Sequence, residues 1–268
     1  MKTALTISGS DSCGGAGLQC DLKVFSILGV YGMTAITTVT AQNTLGVKES
    51  VDLEPRFIRA QIETVAGDIQ VDACKTGLLA TSAIVGAVAD AIRDNKLIPL
   101  VVDPVMYSKS GTKLIKDDTV DSIRKWLIPQ ATIVAPNLRE TLLLLGSNAE
   151  PTSLNSLPSA KDAAKRLRAF GAKTVLIKGI EVGSQMVDLF FDGKEFLEFS
   201  GEKLPREKSH GAGSALTAAI TAGLANRLEL IPAIDQAKQL ATMAIQYSDG
   251  QGRGVAPVNV LSFAPKKK

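Results

Sequence analysis

The sequence predicts an α/β protein whose mainly parallel central sheet is flanked by helices on both faces. Apolar, β-branched runs alternate with helical patterns from one end of the 268 residues to the other, as expected of strands joined by helical crossovers. A late exception comes at Gln185 to Phe191 and Lys194 to Ser200, strand-like runs separated by Asp192 and Gly193. That dipeptide is a type I′ hairpin signal and adds an antiparallel edge.

In chain order, a first strand at Ala4 to Ser8 leads toward a helix from Gly17 to Leu28. Further buried strands are expected at Thr34 to Thr40, Ala73 to Thr76, Leu100 to Asp103, Thr132 to Ala135 and Thr174 to Lys178. Pro55 has no N–H to leave unpaired and opens a helix reaching Asp68. Thr81 to Asn95, Asn137 to Leu145 and Ser159 to Phe170 fill the other crossovers. The Ser-, Asn- and Pro-rich stretch Gly146 to Pro158 is a surface loop, because the alternation resumes after it. With no linker and no repeat, residues 1–268 are expected to form one domain.

Composition narrows the function. Thirty basic residues against 27 acidic ones leave a formal charge of +3, with no basic stripe beyond the terminal Lys266, Lys267 and Lys268, so nucleic acid is not the expected partner. Aromatics at 4% also offer no platform for stacking single-stranded bases. Cys13, Cys20 and Cys74 are odd in number and have no zinc spacing, which predicts neither a disulfide framework nor a structural metal. No apolar run suits a signal peptide or a membrane span. The expectation is a cytoplasmic protein with small-molecule ligands and no membrane partner.

In parallel sheets ligands bind beyond the carboxyl ends of the strands, and there the chemistry-bearing residues collect. Gly9 to Lys23, GSDSCGGAGLQCDLK, holds four glycines and then enters a helix carrying Asp21 and Lys23. It has neither the GxGxxG fingerprint nor a GK followed by Ser or Thr, so it is neither a dinucleotide loop nor a P-loop. It still allows close backbone approach to a ligand, and Asp21 is placed to accept a hydrogen bond from a polar substituent. Asp103 follows a buried strand and precedes Pro104, exposing a carboxylate at the strand end. In HGAGSALTAAI, His210 to Ile220, Gly211 and Gly213 flank Ala212 just before a helix. Convergent N–H groups at its positive end suit a phosphoryl group in flight. Ser214 follows; the same segment also reads as an ordinary glycine cap with a serine near the helix start.

These motifs together resemble the hydroxymethylpyrimidine and hydroxymethylpyrimidine phosphate kinases of thiamine synthesis, members of the ribokinase-like superfamily. The resemblance rests on GSDSCGGAGLQCDLK, VTAQNTLGV at Val39 to Val47, KTGLL at Lys75 to Leu79 and VDPVMYSKSG at Val102 to Gly111. PNLRE at Pro136 to Glu140, IKG at Ile177 to Gly179 and SHGAG at Ser209 to Gly213 continue it in the same order. It implies a ribokinase-like fold, use of ATP and Mg2+, and a homodimer. It implies a pyrimidine pocket from Gly9, Asp21, Thr40, Gln42, Leu78 and Val105, with Arg253 near the substrate phosphate. Gln42 offers both donor and acceptor to an aminopyrimidine edge. It further implies that Asp103 and Glu140 serve the metal, that Asn137, Glu140 and Lys178 sit near the nucleotide phosphates, and that Gly211, Ala212, Gly213 and Ser214 form the catalytic anion hole. Met106 to Gly111 resembles a mobile flap that excludes water. His210, the one histidine, falls in the loop before the anion hole. Trp126, on an amphipathic helix, is expected to pack.

The chain departs from its relatives at position 214, where they usually carry cysteine and other ribokinase-like enzymes aspartate. A helix N-terminus carries roughly half a positive charge, which depresses a thiol's pKa but makes little serine alkoxide at neutral pH. The family's second acceptor, a phosphomonoester, has a second pKa of about 6 and is already ionised there. The serine therefore predicts a bias toward the phosphate acceptor. A pyridoxal or pyridoxine kinase and a pyrimidine-binding protein with weak turnover remain the alternatives.

Overall fold

The computed structural model describes residues 1–204, 207 and 209–264; Lys266 to Lys268 lie outside the described residues. A nine-stranded sheet forms the centre, built from β1 (Lys2–Asp11), β2 (Val30–Asn43), β3 (Gly46–Asp52), β4 (Ala73–Thr76), β5 (Leu100–Val102), β6 (Ile133–Val134), β7 (Thr174–Val182), β8 (Gln185–Phe191) and β9 (Phe196–Glu202). Their spatial order is β3-β2-β1-β4-β5-β6-β7-β8-β9. The five internal pairings from β2 to β7 are parallel, and the β2–β3, β7–β8 and β8–β9 pairings are antiparallel.

Alternation of side chains divides the core between the two faces. Leu5, Ile7, Val102, Val134, Val175 and Ile177 face one layer, where α2 (Pro55–Asp68), α3 (Ser82–Asp94), α5 (Leu138–Leu144) and α6 (Leu157–Arg168) bury Ile58, Val88, Leu144 and Leu167. Ala4, Val101, Ile133 and Leu176 face the other, against Phe25 of α1 (Gly17–Ile27), Ile220 of α7 (Ala212–Ala225) and Leu240 of α8 (Leu230–Gln246). Beside α3, the short α4 (Thr119–Ser122) widens into a π turn over Ile123–Leu127 and tightens to a 3-10 turn over Ile128–Gln130. The Trp126 ring there lies over Gly86 of α3, the packing role expected of it.

Three expectations change. The first strand runs on to Asp11, so Gly9 is a strand residue. A second antiparallel edge exists at β3, whose exposed, charged residues give no alternating pattern to read. The late hairpin is present, but its connection spans residues 192–195, and of Asp192 and Gly193 only the glycine has positive φ. The turn is therefore not type I′; the Asp192 carboxylate accepts from the N–H groups of Lys194 and Glu195 and closes it locally.

Asp21 corrects a site assignment. It is completely buried in α1, where its carboxylate accepts from Lys75 Nζ of β4 at 2.7 Å and from Thr6 Oγ1 of β1 at 2.6 Å. Burial pushes its carboxyl above the usual range, against the pull of the Lys75 ammonium. Asp21 ties helix to sheet and does not reach the ligand cavity. Lys75→Met should cost about 3–5 kcal/mol of unfolding free energy, because it strands a buried carboxylate. Adding Asp21→Leu should recover most of the loss; urea unfolding of both variants measures it.

Candidate active site

At the carboxyl ends of the parallel strands lies a cavity of about 930 Å³. Its floor is set by three strand ends. β5 stops at Val102, because the next residues are Asp103 and Pro104, and β6 stops before Pro136 and Asn137. β7 delivers Lys178, whose N–H bonds to the carbonyl of Pro136.

Asp103 and Lys178 meet in the buried floor, with Lys178 Nζ donating to Asp103 Oδ1 at 2.6 Å. The second Asp103 oxygen accepts from Thr217 Oγ1 of α7 at 2.9 Å. Glu140 lies close enough to feel both charges. Burial pushes its carboxyl up to about 7; Lys178 opposes the rise and Asp103 adds to it. Burial works against the Lys178 ammonium as well, but Asp103 and Glu140 outweigh it and hold Lys178 above its ordinary value, so it is cationic at neutral pH. Asn137 and Glu140 form a capping box at the start of α5. The Asn137 side chain accepts from the Glu140 N–H and the Glu140 carboxylate from the Asn137 N–H.

α7 enters above this floor. Gly211 is its N-cap with φ of 87°, a left-handed conformation natural to glycine. A Cβ there would fall 1.7 Å from the carbonyl oxygen of Gly15, so the two glycine loops touch backbone to backbone. Lys178 Nζ lies 3.6 Å from where a Cβ of Gly213 would be. Gly211, Ala212, Gly213 and Ser214 all line the cavity. Among the described residues the Ser214 hydroxyl has no hydrogen-bonding His, Asp or Glu. The one histidine is engaged elsewhere: His210 Nε2 is 2.8 Å from Asp11 Oδ2, which also accepts from the N–H groups of Gly15 and Ala16.

Toward the other end, Gly9, Thr40, Gln42, Leu78 and Val105 line the same cavity. Thr40 Oγ1 donates to the Ser10 carbonyl at 2.8 Å and lies 3.2 Å from Gln42 Oε1, so that contact leaves the Gln42 amide N–H groups for a ligand. Gly9 keeps the floor flat, since a Cβ would press on Leu78 at 3.1 Å. Arg253 is not among the lining residues. It is exposed, and its backbone N–H bonds to Thr44 Oγ1 in the β2–β3 turn. In the segment Met106 to Gly111, Met106 is buried, and the Arg139 guanidinium sits 3.4 Å from the centroid of the Tyr107 ring. Sequence reading missed Asp11, Thr217, Asp188 and Lys238, whose side-chain partners His210, Asp103 and, for the last two, each other lie far along the chain. The Asp that precedes the first glycine loop was the one available signal.

A family model described as phosphomethylpyrimidine kinase matches residues 11–259. Over 260 residues the chain is 41% identical to the hydroxymethylpyrimidine/phosphomethylpyrimidine kinase of Mycobacterium tuberculosis, covering 96% of this chain and 93% of the relative. The ADP complex of Bacillus subtilis pyridoxal kinase has a TM-score of 0.88 at 37% identity, covering 98% of each chain. Staphylococcus aureus pyridoxal kinase in complex with AMP-PCP and pyridoxal has a TM-score of 0.89 at 33% identity, covering 100% of this chain and 96% of that one.

The raised Glu140 carboxyl makes stability depend on pH. Between the ordinary glutamate value of 4.5 and the folded value of about 7, the folded state holds a proton that the unfolded state has released. Stability is therefore lost as pH rises through that window. Denaturant titrations of the ligand-free protein should show this decline, and Glu140→Gln should remove it. An identical pH profile in the variant would place the titrating group elsewhere.

Proposed function

The chain belongs to the phosphomethylpyrimidine kinase family, and we propose from that premise that it transfers the γ-phosphoryl group of ATP to hydroxymethylpyrimidine phosphate in thiamine biosynthesis, and more slowly to hydroxymethylpyrimidine. The observation that carries the reading is the placement of Lys178 beside the glycine-rich start of α7, in one cavity with Gln42.

In this reading, Gly9, Thr40, Gln42, Leu78 and Val105 hold the pyrimidine, with the Gln42 amide reading its polar edge. The N–H groups of residues 211–214 and the Lys178 ammonium hold the transferring phosphoryl group, where preorganised donors stabilise developing charge. Asn137 and Glu140 face the nucleotide phosphates. The donor set also fits Mg2+, a hard cation that keeps several waters and takes one or two carboxylates. Asp103 and Glu140 would hold it, Asp103 through water because Lys178 and Thr217 already occupy its oxygens. When bound, the ion neutralises phosphate charge. Arg253 belongs to the phosphate end only if its loop closes over the substrate. The mobile flap at Met106 to Gly111 excludes water from the transfer. A single kinase domain acting as a cytoplasmic homodimer completes the proposal; the exposed, cross-paired Val39 and Val51 on the outer hairpin support pairing of two copies.

Ser214 decides between the acceptors. The alcohol must lose a proton during attack, and no general base adjoins Ser214 among the described residues. The phosphate acceptor arrives ionised, with a second pKa of about 6, and brings its own nucleophilic oxygen. Catalysis then rests on positioning and charge, which supply most of phosphoryl transfer.

A coupled ADP-release assay with both pyrimidines and with pyridoxal tests this. The phosphate acceptor should have the highest kcat/KM; equal efficiencies for the two pyrimidines would refute the bias, and a preference for pyridoxal would replace the substrate assignment. Tight pyrimidine binding without ADP release would identify a binding protein. Ser214→Cys should raise the alcohol reaction by about 10²- to 10⁴-fold, the usual contribution of a general base, and change the phosphate reaction little. If neither rate moves, residue 214 only begins the helix.

A further inference from the structure

β7 loses register with β8 at one point. Ile177 pairs with Leu189 and Ile180 with Val187, so Lys178 and Gly179 stand opposite the single residue Asp188. This is a β-bulge, which adds a residue, bends the strand and re-aims a side chain. It also reverses the strand's alternation. Leu176 belongs to the α7 and α8 face while Ile177 belongs to the opposite one, and beyond the bulge Ile180 returns to the same face as Ile177. The extra residue thus lets Lys178 project toward Asp103 and α7 without turning Ile180 out of its core.

A bulge leaves backbone groups without ladder partners, and buried N–H groups must be satisfied. On the β6 side the Lys178 N–H bonds to the Pro136 carbonyl at 2.9 Å. On the β8 side the partner is a side chain: Asp188 Oδ1 accepts the Gly179 N–H at 2.8 Å. Gly179 takes φ of 79°, the conformation the bend requires. Asp188 is 5% exposed, so its charge needs compensation. Lys238 of α8 supplies it at 2.9 Å to Asp188 Oδ2 and also donates to the Met186 carbonyl at 3.1 Å.

We propose that Asp188 and Lys238 are positioning residues for phosphoryl transfer, a staple that fixes the β7 bulge at Gly179 and thereby aims the Lys178 ammonium at the transferring phosphate. The inference rests on the assignment of Lys178 to that phosphate made above. Asp188 acts through the Gly179 N–H, and Lys238 acts by holding the Asp188 carboxylate in place. Both side chains also line the cavity, but the role proposed for them is exerted through Gly179.

The test is kinetic, on the full-length protein with ATP and hydroxymethylpyrimidine phosphate. Asp188→Ala should lower kcat by about 10²-fold, the usual scale of a misplacement near 1 Å, while KM for the pyrimidine holds. Asp188→Asn keeps a carbonyl acceptor for Gly179 and should restore most of kcat. Lys238→Met should lower kcat, and Lys238→Met with Asp188→Asn should recover, because no unpaired charge remains. In a Lys178→Ala background, Asp188→Ala should cost nothing further, since residues acting as a unit are not additive. The same loss in both backgrounds, an Asn variant as poor as the Ala variant, or a Lys238→Met effect confined to KM for ATP would overturn the proposal. If the wild type turns over neither pyrimidine, the acceptor assignment fails and AMP-PCP affinity becomes the readout. Asp188→Ala should then weaken binding in the wild-type background and leave the Lys178→Ala protein unchanged; equal weakening in both would overturn the staple.

Discussion

The whole site depends on the contact between Gly211 and Gly15. At that point the chain at the start of α7 presses backbone against backbone on the loop that follows β1, with no room for a side chain on Gly211. A Cβ on Gly15 would in turn fall 2.3 Å from the His210 ring, and Asp11 binds that ring while accepting the N–H groups of the loop. The end of β1, the glycine loop and the first turn of α7 therefore hold one another in place. These contacts hold the helix N-terminus over the strand ends, and donors that need no reorganisation are the ones that stabilise developing charge most.

Electrostatics completes what the backbone begins. Asp103, Glu140 and Lys178 share a buried floor, where the Lys178 ammonium opposes the rise of Glu140 and the two carboxylates hold Lys178 above its ordinary value. In the proposed function Lys178 is the cation for phosphate, and the carboxylates are the oxygen donors for a hydrated divalent ion. Among the described residues, no His, Asp or Glu side chain is hydrogen-bonded to residue 214. His210 is turned away into its pair with Asp11. On the proposed function, such machinery suits an acceptor that is already anionic, and a cysteine or aspartate at position 214 is expected to widen it to alcohols.

Much of this was legible in the sequence because local rules wrote it. Buried parallel strands announce themselves as apolar β-branched runs, and a polar residue directly after such a run, as with Asp103 and Lys178, falls at the ligand end. The capping box of Asn137 and Glu140 is likewise a short-range pattern. Asp21 misled because its helical context resembles a surface acid, whereas its partner Lys75 lies 54 residues on and the pair is sealed inside. Arg253 was assigned by resemblance, and only the structure shows its loop tied to Thr44 and its side chain outside the cavity lining. β3 escaped because an exposed edge carries no hydrophobic period. The links of Asp11 with His210 and of Asp188 with Lys238 join residues 199 and 50 apart, and nothing in the local sequence of either marks its partner.

The central claim is that the phosphate acceptor supplies the charge that Ser214 cannot. Its most direct test is kcat/KM for hydroxymethylpyrimidine phosphate against pH, measured in the wild type and in Ser214→Ala. The account predicts the same curve for both, rising to a plateau with a midpoint near the second ionisation of a phosphomonoester, about 6. A curve that collapses or shifts in Ser214→Ala would show that the serine hydroxyl moves the proton, and would contradict it.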